Sequence, residues 1–143
     1  MAEFIYERKV NYYETDRMGI VHHSNYIRWM EEARLEVLEK IGIPYDKMEQ
    51  DGILIPVLSA SCEYHMAFRY GDTFRVVVYP LEFNGLKMKL GYKIYNKETE
   101  VLHSTGETGH CFVDSNMKLI RLKKEYPDYY NAFMTWYDNT EKL

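Results

Sequence analysis

A carboxylate, a glycine-bearing turn and two histidines lie close together near the start of this chain. Asp16 begins an Asp-x-x-Gly sequence that ends at Gly19, and His22 and His23 follow just before residues typical of a helix start. The first backbone N–H groups of a helix lack partners within it and lie at the positive end of its dipole. An aspartate beside such groups is suited to attacking a polarised carbonyl or activating water, while the N–H groups stabilise the oxyanion.

The same residues also have simpler interpretations. An Asp-x-x-Gly sequence is a common turn in which the aspartate accepts backbone hydrogen bonds, and taken alone this role is the more frequent one. Adjacent histidines rarely bind one metal ion, and no further ligand cluster accompanies His22 and His23, so no metal site is predicted. Cys111 follows His110, but neighbours in a strand point to opposite faces, which favours a core cysteine and an outward histidine over a catalytic dyad.

One long helix is predicted directly after the two histidines. Apolar residues recur at helical spacing from Asn25 to about Ile41, and charged residues fill much of the remaining surface. Ser24 or Asn25 can cap its start, and Gly42 suits its end. Before the helix, apolar residues alternate from Phe4 to Tyr12, with a break at Arg8, and predict a first strand.

Strands dominate the rest of the chain. They are predicted within residues 53–68 and at residues 73–83, 86–95 and 101–113, with short helices at 45–50 and from Lys123 onwards. Asn84-Gly85 predicts a type I′ hairpin turn with positive φ at both positions. One helix against a mainly antiparallel sheet is an α+β architecture, so residues 1–143 are predicted to form one domain with residues 123–143 as a helical tail. Dimerisation is expected, since a single sheet must cover its second apolar face.

Composition narrows the range of functions. The 143 residues are 46% hydrophobic and 15% aromatic, and their net charge of −4 argues against nucleic-acid binding. The sequence has no secretory signal and no apolar run long enough to span a membrane, and its two cysteines are expected to be free thiols in the cytoplasm. Serine-hydrolase elbows and nucleotide-binding loops are also missing from the sequence.

Several of these segments together resemble one family. The segment Tyr13–Val21, followed by Asn25-Tyr26 and Glu31–Arg34, resembles the 4-hydroxybenzoyl-CoA thioesterase type of hotdog-fold acyl-CoA thioesterases. Phe68–Asp72 also looks like that family's turn before its third strand. The resemblance implies a five-stranded antiparallel sheet wrapped around one long central helix. It further implies a homodimer with the active site at its interface, and often a homotetramer of two such dimers.

The resemblance also implies roles for individual residues. Asp16 matches the family's catalytic carboxylate, and the backbone N–H at His23 matches the group that polarises the thioester carbonyl, with the His23 ring as a second aid. The expected substrate-binding positions are Gly19, Val21, Ser24, Tyr26 and Arg69. Arg69 is one candidate for the phosphates of coenzyme A, besides the basic groups at Lys87, Lys89 and Lys93 and at Arg121, Lys123 and Lys124. Tyr26 suits an acyl pocket and core packing equally well. No metal or cofactor is expected, since coenzyme A is part of the substrate.

The sequence therefore predicts a cytoplasmic hydrolase, an acyl-CoA thioesterase that releases a free acid and coenzyme A. One alternative is a thioesterase that acts on acyl carrier protein thioesters. Another is a non-catalytic module that binds acyl-CoA or acyl carrier protein, although such a module gains nothing from the carboxylate of Asp16. A hotdog dehydratase is a third alternative, but its surrounding motif differs. The acyl group is left open.

Overall fold

The computed structural model describes residues 4–140, which form five strands and four α-helices. In chain order these are β1 (Phe4–Lys9), α1 (Ser24–Lys40), α2 (Tyr45–Gln50), β2 (Val57–Tyr64), β3 (Thr73–Phe83), β4 (Lys87–Asn96), β5 (Leu102–Cys111), α3 (Leu122–Glu125) and α4 (Pro127–Asn139). A short 3-10 turn, Tyr12–Glu14, lies between β1 and α1. Within residues 4–140, no helix is long and apolar enough to cross a membrane.

The strands form one antiparallel sheet with the spatial order β1-β3-β4-β5-β2. The sheet wraps around α1, which confirms the predicted α+β hotdog architecture. The helix buries one apolar stripe against the sheet, as its sequence periodicity predicts. At its centre the ring of Trp29 stacks flat on Phe74 of β3, with ring centroids 3.9 Å apart. This packing fixes the N-terminal half of α1, and thus the loop before it, relative to the sheet.

A glycine on β5 lets α1 lie very close to the sheet. A Cβ atom at Gly106 would stand 2.1 Å from Cε of Met30 and 2.8 Å from the Ser61 carbonyl oxygen, so a larger residue there would displace the Met30 side chain or the neighbouring strand. The side chain of Met30 fills this space and is fully buried. A glycine at this strand position therefore leaves room for the Met30 side chain between the helix and the sheet.

The C-terminal segment closes the far end of the core. It forms two helices rather than the one predicted from Lys123, because Pro127 starts a new helix at a position that needs no N–H donor. Phe133 of α4 packs against Phe83 and Phe112. The hydroxyl of Tyr129 donates to the carboxylate of Asp51, which joins α4 to the end of α2.

Two predicted element ends are wrong. The first strand ends at Lys9, and Tyr12 lies exposed in the 3-10 turn instead of continuing the strand. Neither Ser24 nor Asn25 caps α1, since His23 occupies the N-cap position without a side-chain cap bond. Asn25 is buried, and its amide instead donates to the carbonyl oxygens of Glu14 and His22 at 3.1 and 3.3 Å. These bonds attach the helix to the loop that precedes it.

The Asn84-Gly85 hairpin is present between β3 and β4, but its turn is not of type I′. Only Gly85 has positive φ, at +83°, because the side chain of Asn84 takes a different role. Its Oδ1 accepts hydrogen bonds from the N–H groups of Leu86 and Lys87, which closes a longer loop of three residues. The prediction of the hairpin is confirmed, and the prediction of its turn type is wrong.

His110 also differs from its prediction. It was expected to point outward from β5, yet it is only 2% exposed, and Cys111 beside it is buried too. Both faces of β5 are covered at this end of the sheet. A hydrogen bond of 2.8 Å between His110 Nε2 and the hydroxyl of Thr108 compensates part of the cost of burying the imidazole.

The strand β2 is shorter than the predicted segment and lies at an edge of the sheet. It pairs with β5, and seven of its eight residues are exposed, with only Cys62 partly covered. Val57 and Leu58 are about half exposed, as is Tyr64 at the other end of the strand. A long, apolar and uncovered edge strand is uncommon on a monomeric protein.

Candidate active site

A small ladder of backbone hydrogen bonds holds the loop between β1 and α1. Thr15 pairs with Val21 in an isolated antiparallel bridge. On one side of it the Asp16 N–H donates to the Ile20 carbonyl at 2.8 Å, and on the other the His22 N–H donates to the Glu14 carbonyl at 2.8 Å. The ladder brings the segment with Asp16 alongside the segment that enters α1.

Asp16 combines a turn role with a carboxylate available for chemistry. Its Oδ1 accepts a hydrogen bond of 2.8 Å from the Met18 N–H, while Oδ2 accepts none from residues 4–140. Gly19 closes the turn with φ of +78°, and its N–H donates to the Asp16 carbonyl at 2.9 Å. The side chain of Asp16 is half-buried. One carboxylate oxygen is thus held by the turn, and the other is left for a ligand.

The backbone donors at the start of α1 are mostly occupied. The Val21 N–H donates to the Phe68 carbonyl at 2.9 Å, and the Ser24 N–H donates to His22 Nδ1 at 3.2 Å. The His22 N–H is engaged within the ladder. His23 is the exception, because its N–H has no acceptor within the described chain. Among the four residues Val21–Ser24, the structure therefore leaves one N–H for an oxyanion.

The side chains around this N–H form a small polar and aromatic surface. The rings of His22 and His23 lie with centroids 4.3 Å apart, and both are exposed. Nδ1 of His22 lies 2.8 Å from the Ser24 hydroxyl. From β2, the Tyr64 hydroxyl donates to the His23 carbonyl at 3.2 Å, so the edge strand ends beside the helix start.

Tyr26 and Arg69 occupy different surroundings. Tyr26 is buried, and its ring lies between those of Trp29 and Tyr64, with both centroid distances at 5.0 Å. Burial raises the pKa of its hydroxyl. These contacts support its packing role. Arg69 is exposed and pairs with Ile20 in a backbone bridge, and its Nη1 would lie 3.9 Å from a Cβ at Gly19. The structure thus brings Arg69, but not the Tyr26 ring, to the surface of the Asp16 turn.

Glu14 is the residue that the sequence interpretation missed. It lies two residues before Asp16 and is only 3% exposed. Its Oε2 accepts hydrogen bonds from Trp29 Nε1 at 2.9 Å and Arg8 Nη2 at 2.7 Å, and its Oε1 accepts one from the Asn11 N–H at 2.8 Å. Burial alone would raise the pKa of Glu14, but the bonds from Arg8, Trp29 and Asn11 outweigh it and lower that pKa.

Arg8 carried the signal that could have identified this buried carboxylate. It interrupts the apolar parity of β1, and an inward arginine on a strand requires an acidic partner. It has two such partners, since its guanidinium also contacts Glu32 of α1 at 2.8 Å. The same guanidinium lies 5.0 Å from the centre of the Phe74 ring. Burial would lower the pKa of Arg8, but the hydrogen bonds and charges of Glu14 and Glu32 raise it overall.

Comparison with known proteins identifies the family of this chain. Residues 10–134 match the model of the thioesterase-like superfamily. The chain belongs to that superfamily. This thioesterase is 36% identical over 127 residues to YneP of Bacillus subtilis (strain 168), whose name assigns it provisionally as an acyl-CoA thioesterase, and the match covers 89% of this chain and 92% of YneP.

Solved structures lead to the same assignment. A DHNA-CoA thioesterase from Staphylococcus aureus is 33% identical to this thioesterase, with a TM-score of 0.89 over 94% of this chain and 91% of that one. A protein of Aquifex aeolicus described as hypothetical is 39% identical, with a TM-score of 0.81 over 87% of this chain and 97% of that one. The predicted family, its hotdog fold and its class, thioester hydrolase, are confirmed.

Proposed function

We propose that this thioesterase hydrolyses an acyl-CoA to a free acid and coenzyme A, with Asp16 and the His23 N–H as its catalytic groups. The observation that carries the proposal is that the hydrogen-bonded loop between β1 and α1 contains both groups. Asp16 offers a carboxylate oxygen without a protein partner in the described chain, and His23 offers an N–H without an acceptor there. Acyl transfer requires a nucleophile or base and a free backbone donor, and this loop provides both.

Two reaction courses are consistent with these groups. In the first, Asp16 attacks the thioester carbonyl carbon, the C–S bond breaks, and water then hydrolyses the mixed anhydride. In the second, Asp16 accepts a proton from water as the water attacks the carbonyl carbon directly. In both, the His23 N–H stabilises the negative charge on the carbonyl oxygen, and coenzyme A leaves as its thiolate and takes up a proton. Neither course requires a metal or a further cofactor.

Coenzyme A is the proposed carrier of the acyl group. The names of YneP and of the Staphylococcus aureus relative both refer to CoA thioesters. The exposed guanidinium of Arg69 beside Gly19 is suited to the phosphates of the coenzyme, and Gly19 leaves the backbone accessible. Val21 and Ser24 hold the entry to α1 in place rather than donating to substrate. An acyl carrier protein thioester is the alternative substrate.

A homodimer formed through β2 is the proposed assembly. The exposed edge of β2 can pair with the same edge of a second copy, and two-fold symmetry makes that pairing antiparallel. The Tyr64 end of one strand then lies near the Val57 end of the other. Because Tyr64 contacts His23, the catalytic loop of each protomer lies at the interface. A homotetramer follows if two such dimers associate, and the free thiols of Cys62 and Cys111 suit a cytoplasmic location.

The deciding experiment measures thiol release from a panel of acyl-CoAs by wild type, Asp16→Asn and Asp138→Asn. Asp138 is an exposed aspartate on α4 and provides a matched control. We expect Asp16→Asn to lower kcat by roughly 100-fold to 10,000-fold with acyl-CoA affinity retained, and Asp138→Asn to match wild type. Undiminished hydrolysis by Asp16→Asn would refute the mechanism. Tight acyl-CoA binding without thiol release by the wild type would favour a binding module.

A further inference from the structure

A second feature of the molecule is a cavity of about 480 Å³ beside the C-terminal half of α1. It lies between that helix, the start of β2 and the adjoining ends of β4 and β5. Much of its wall is apolar and includes Leu35, Leu38, Ile55, Val78 and Leu90. Its volume falls within the range of roughly 300–1,000 Å³ typical of small-molecule sites. Asp16 and His23 lie at the opposite end of α1.

A polar group is built into this apolar cavity. Arg34 and His110 line it, and a chain of hydrogen bonds joins them through two further residues. Arg34 Nη1 donates to the Tyr92 hydroxyl at 3.1 Å, and the Tyr92 and Thr108 hydroxyl oxygens lie 2.6 Å apart. Thr108 Oγ1 in turn lies 2.8 Å from His110 Nε2. We name these four residues the Arg34–His110 relay.

Only one direction of donation along the relay lets every hydroxyl proton form a hydrogen bond. Arg34 can only donate, so the Tyr92 hydroxyl accepts from it and donates to Thr108. The Thr108 hydroxyl then donates to Nε2 of His110, which places the imidazole proton on Nδ1. Burial, and next the positive charge of Arg34, lower the pKa of His110 to about 4, so the ring is neutral at pH 7. The His110 side chain therefore presents an N–H donor.

This donor is unsatisfied. Nδ1 of His110 is buried and has no hydrogen-bond partner within residues 4–140, although the Pro56 backbone interacts with the ring and raises its pKa against the stronger effect of burial. Arg34 forms no ion pair with the described carboxylates, although Glu31 and Glu49 also line the cavity. An unpaired buried donor is costly and calls for an acceptor. The two glutamates disfavour a carboxylate in this position, so the acceptor best suited to it is an uncharged oxygen.

The proposed dimer brings this cavity to the catalytic groups. Antiparallel pairing of β2 with a second copy places the Tyr64 end of one protomer beside the Val57 end of the other. Val57 and Pro56 line the cavity, whereas Tyr64 contacts His23. The cavity of each protomer therefore lies next to the catalytic loop of the other.

We propose that the cavity binds the acyl group of the thioester held by the second copy, and that Arg34 and His110 select an acyl group with an uncharged oxygen at its far end. A hydroxyl or keto group on an aromatic or an alkyl skeleton supplies that oxygen. This inference rests on the proposed function, and it narrows the substrate from acyl-CoA in general to acyl-CoAs with an oxygenated acyl group. Tyr92 and Thr108 act as positioning residues, because their hydrogen bonds orient the donor groups of Arg34 and His110.

The test compares matched pairs of substrates that differ by one oxygen. The pairs are ω-hydroxyoctanoyl-CoA with octanoyl-CoA, and hydroxynaphthoyl-CoA with naphthoyl-CoA. We expect the wild type to favour an oxygenated member by about tenfold in kcat/KM, the value of one net hydrogen bond. Tyr92→Phe and Thr108→Val should each reduce this preference to near unity. Tyr95→Phe and Thr105→Val, which change the opposite faces of the same strands, should retain it.

The outcomes separate this inference from the proposed function. Equal kcat/KM for both members of each pair would overturn the inference, as would a preference that survives in both Tyr92→Phe and Thr108→Val. A stronger preference for a carboxylate-terminated acyl group would overturn the choice of an uncharged oxygen. If no thioester is cleaved, the proposed function fails, and the ratio of dissociation constants within each pair, measured by calorimetry, tests the cavity alone. The same tenfold preference in affinity then supports it, and equal affinities refute it.

Discussion

Trp29 of α1 donates a hydrogen bond of 2.9 Å from Nε1 to Oε2 of Glu14, the residue two positions before Asp16. Arg8 contacts the same oxygen from β1 at 2.7 Å. The Glu14 carbonyl meanwhile accepts from the His22 N–H and the Asn25 amide. One buried residue thus joins the sheet, the helix and both sides of the loop that carries the candidate catalytic groups.

We expect Glu14→Gln to lower both stability and activity. Removing the carboxylate leaves the half-buried Arg8 with Glu32 as its remaining acidic partner, and breaking a buried ion pair costs about 3 kcal/mol. Urea denaturation followed by tryptophan fluorescence measures the free energy of unfolding. Activity measured at urea concentrations well below the unfolding transition should also fall, mainly through kcat, because the His22–His23 backbone loses its support.

Glu7→Gln is the matched control for Glu14→Gln. Glu7 lies on the same strand as Arg8 and contacts Arg75 of β3 at 2.8 Å, but the side chains of Glu7 and Arg75 are both one-third exposed. An exposed pair contributes at most about 1 kcal/mol, and activity should not change. A Glu14→Gln protein that is destabilised yet retains wild-type kcat would limit the role of Glu14 to stability.

Gly19→Ala should damage the site beyond its effect on stability. The φ of +78° disfavours a side chain by about 1 kcal/mol, and relaxing that strain moves the turn that holds Asp16. Gly42 lies just beyond the C-terminus of α1, and Gly42→Ala imposes a similar strain at its φ of +90°. No atom lies within 4 Å of the new Cβ. Similar losses of stability are expected, with kcat/KM reduced in Gly19→Ala alone. Equal activities in the two variants would contradict this.

Protonation of His110 should destabilise the fold in mild acid. Its folded pKa of about 4 lies below the ordinary 6.5, so the unfolded chain binds the proton more readily. This contribution to stability is complete above pH 6.5 and is lost as the pH falls towards 4, up to about 3 kcal/mol. His103, whose pKa is lowered chiefly by burial, acts in the same direction.

The comparison of wild type with His110→Gln isolates this effect. Unfolding by urea at pH 7 and at pH 4.5 gives the loss of free energy for each protein. The loss should be about 2 kcal/mol smaller in the variant, which has no imidazole to protonate at this position. Equal losses would show that other groups control the acid response.

Mixing two inactive variants tests whether each site uses both protomers. Asp16→Asn removes the carboxylate, and Leu35→Trp fills the cavity beside α1. A mixed dimer has one site in which an intact Asp16 faces an open cavity, so random exchange should restore about a quarter of wild-type activity. The double variant mixed with either single variant should restore none. No recovery in the first mixture, with exchange verified, would place the whole site within one protomer.

Much of the fold follows from local patterns in the sequence. The helical spacing before Ile41 and the alternation after Thr73 each predicted an element to within a residue or two, because α1 and β3 bury one continuous stripe against a single core. The Asp-x-x-Gly turn was also predictable from local sequence, because its hydrogen bonds lie within four residues.

Features that depend on distant contacts were not predictable in this way. Glu14 is buried because Arg8 and Trp29 reach it from β1 and α1. His110 bonds to Thr108 on its own strand, and α1 and β4 provide the other two residues of its relay. Strand parity alone could not assign a polar residue to the core when its partners lie on other elements. The break at Arg8 was the one local sign, and it indicated the need for a carboxylate without indicating which one.

The open edge of β2 has a consequence for handling the protein. The outward N–H and C=O groups of alternate residues in this eight-residue strand form a template for any extended segment, including those of partly folded copies. Dilution that separates the protomers of the proposed dimer would therefore expose the strand to slow aggregation. Dynamic light scattering of stored dilute samples should show particles growing, and a coenzyme A thioester that binds across the proposed interface should slow that growth.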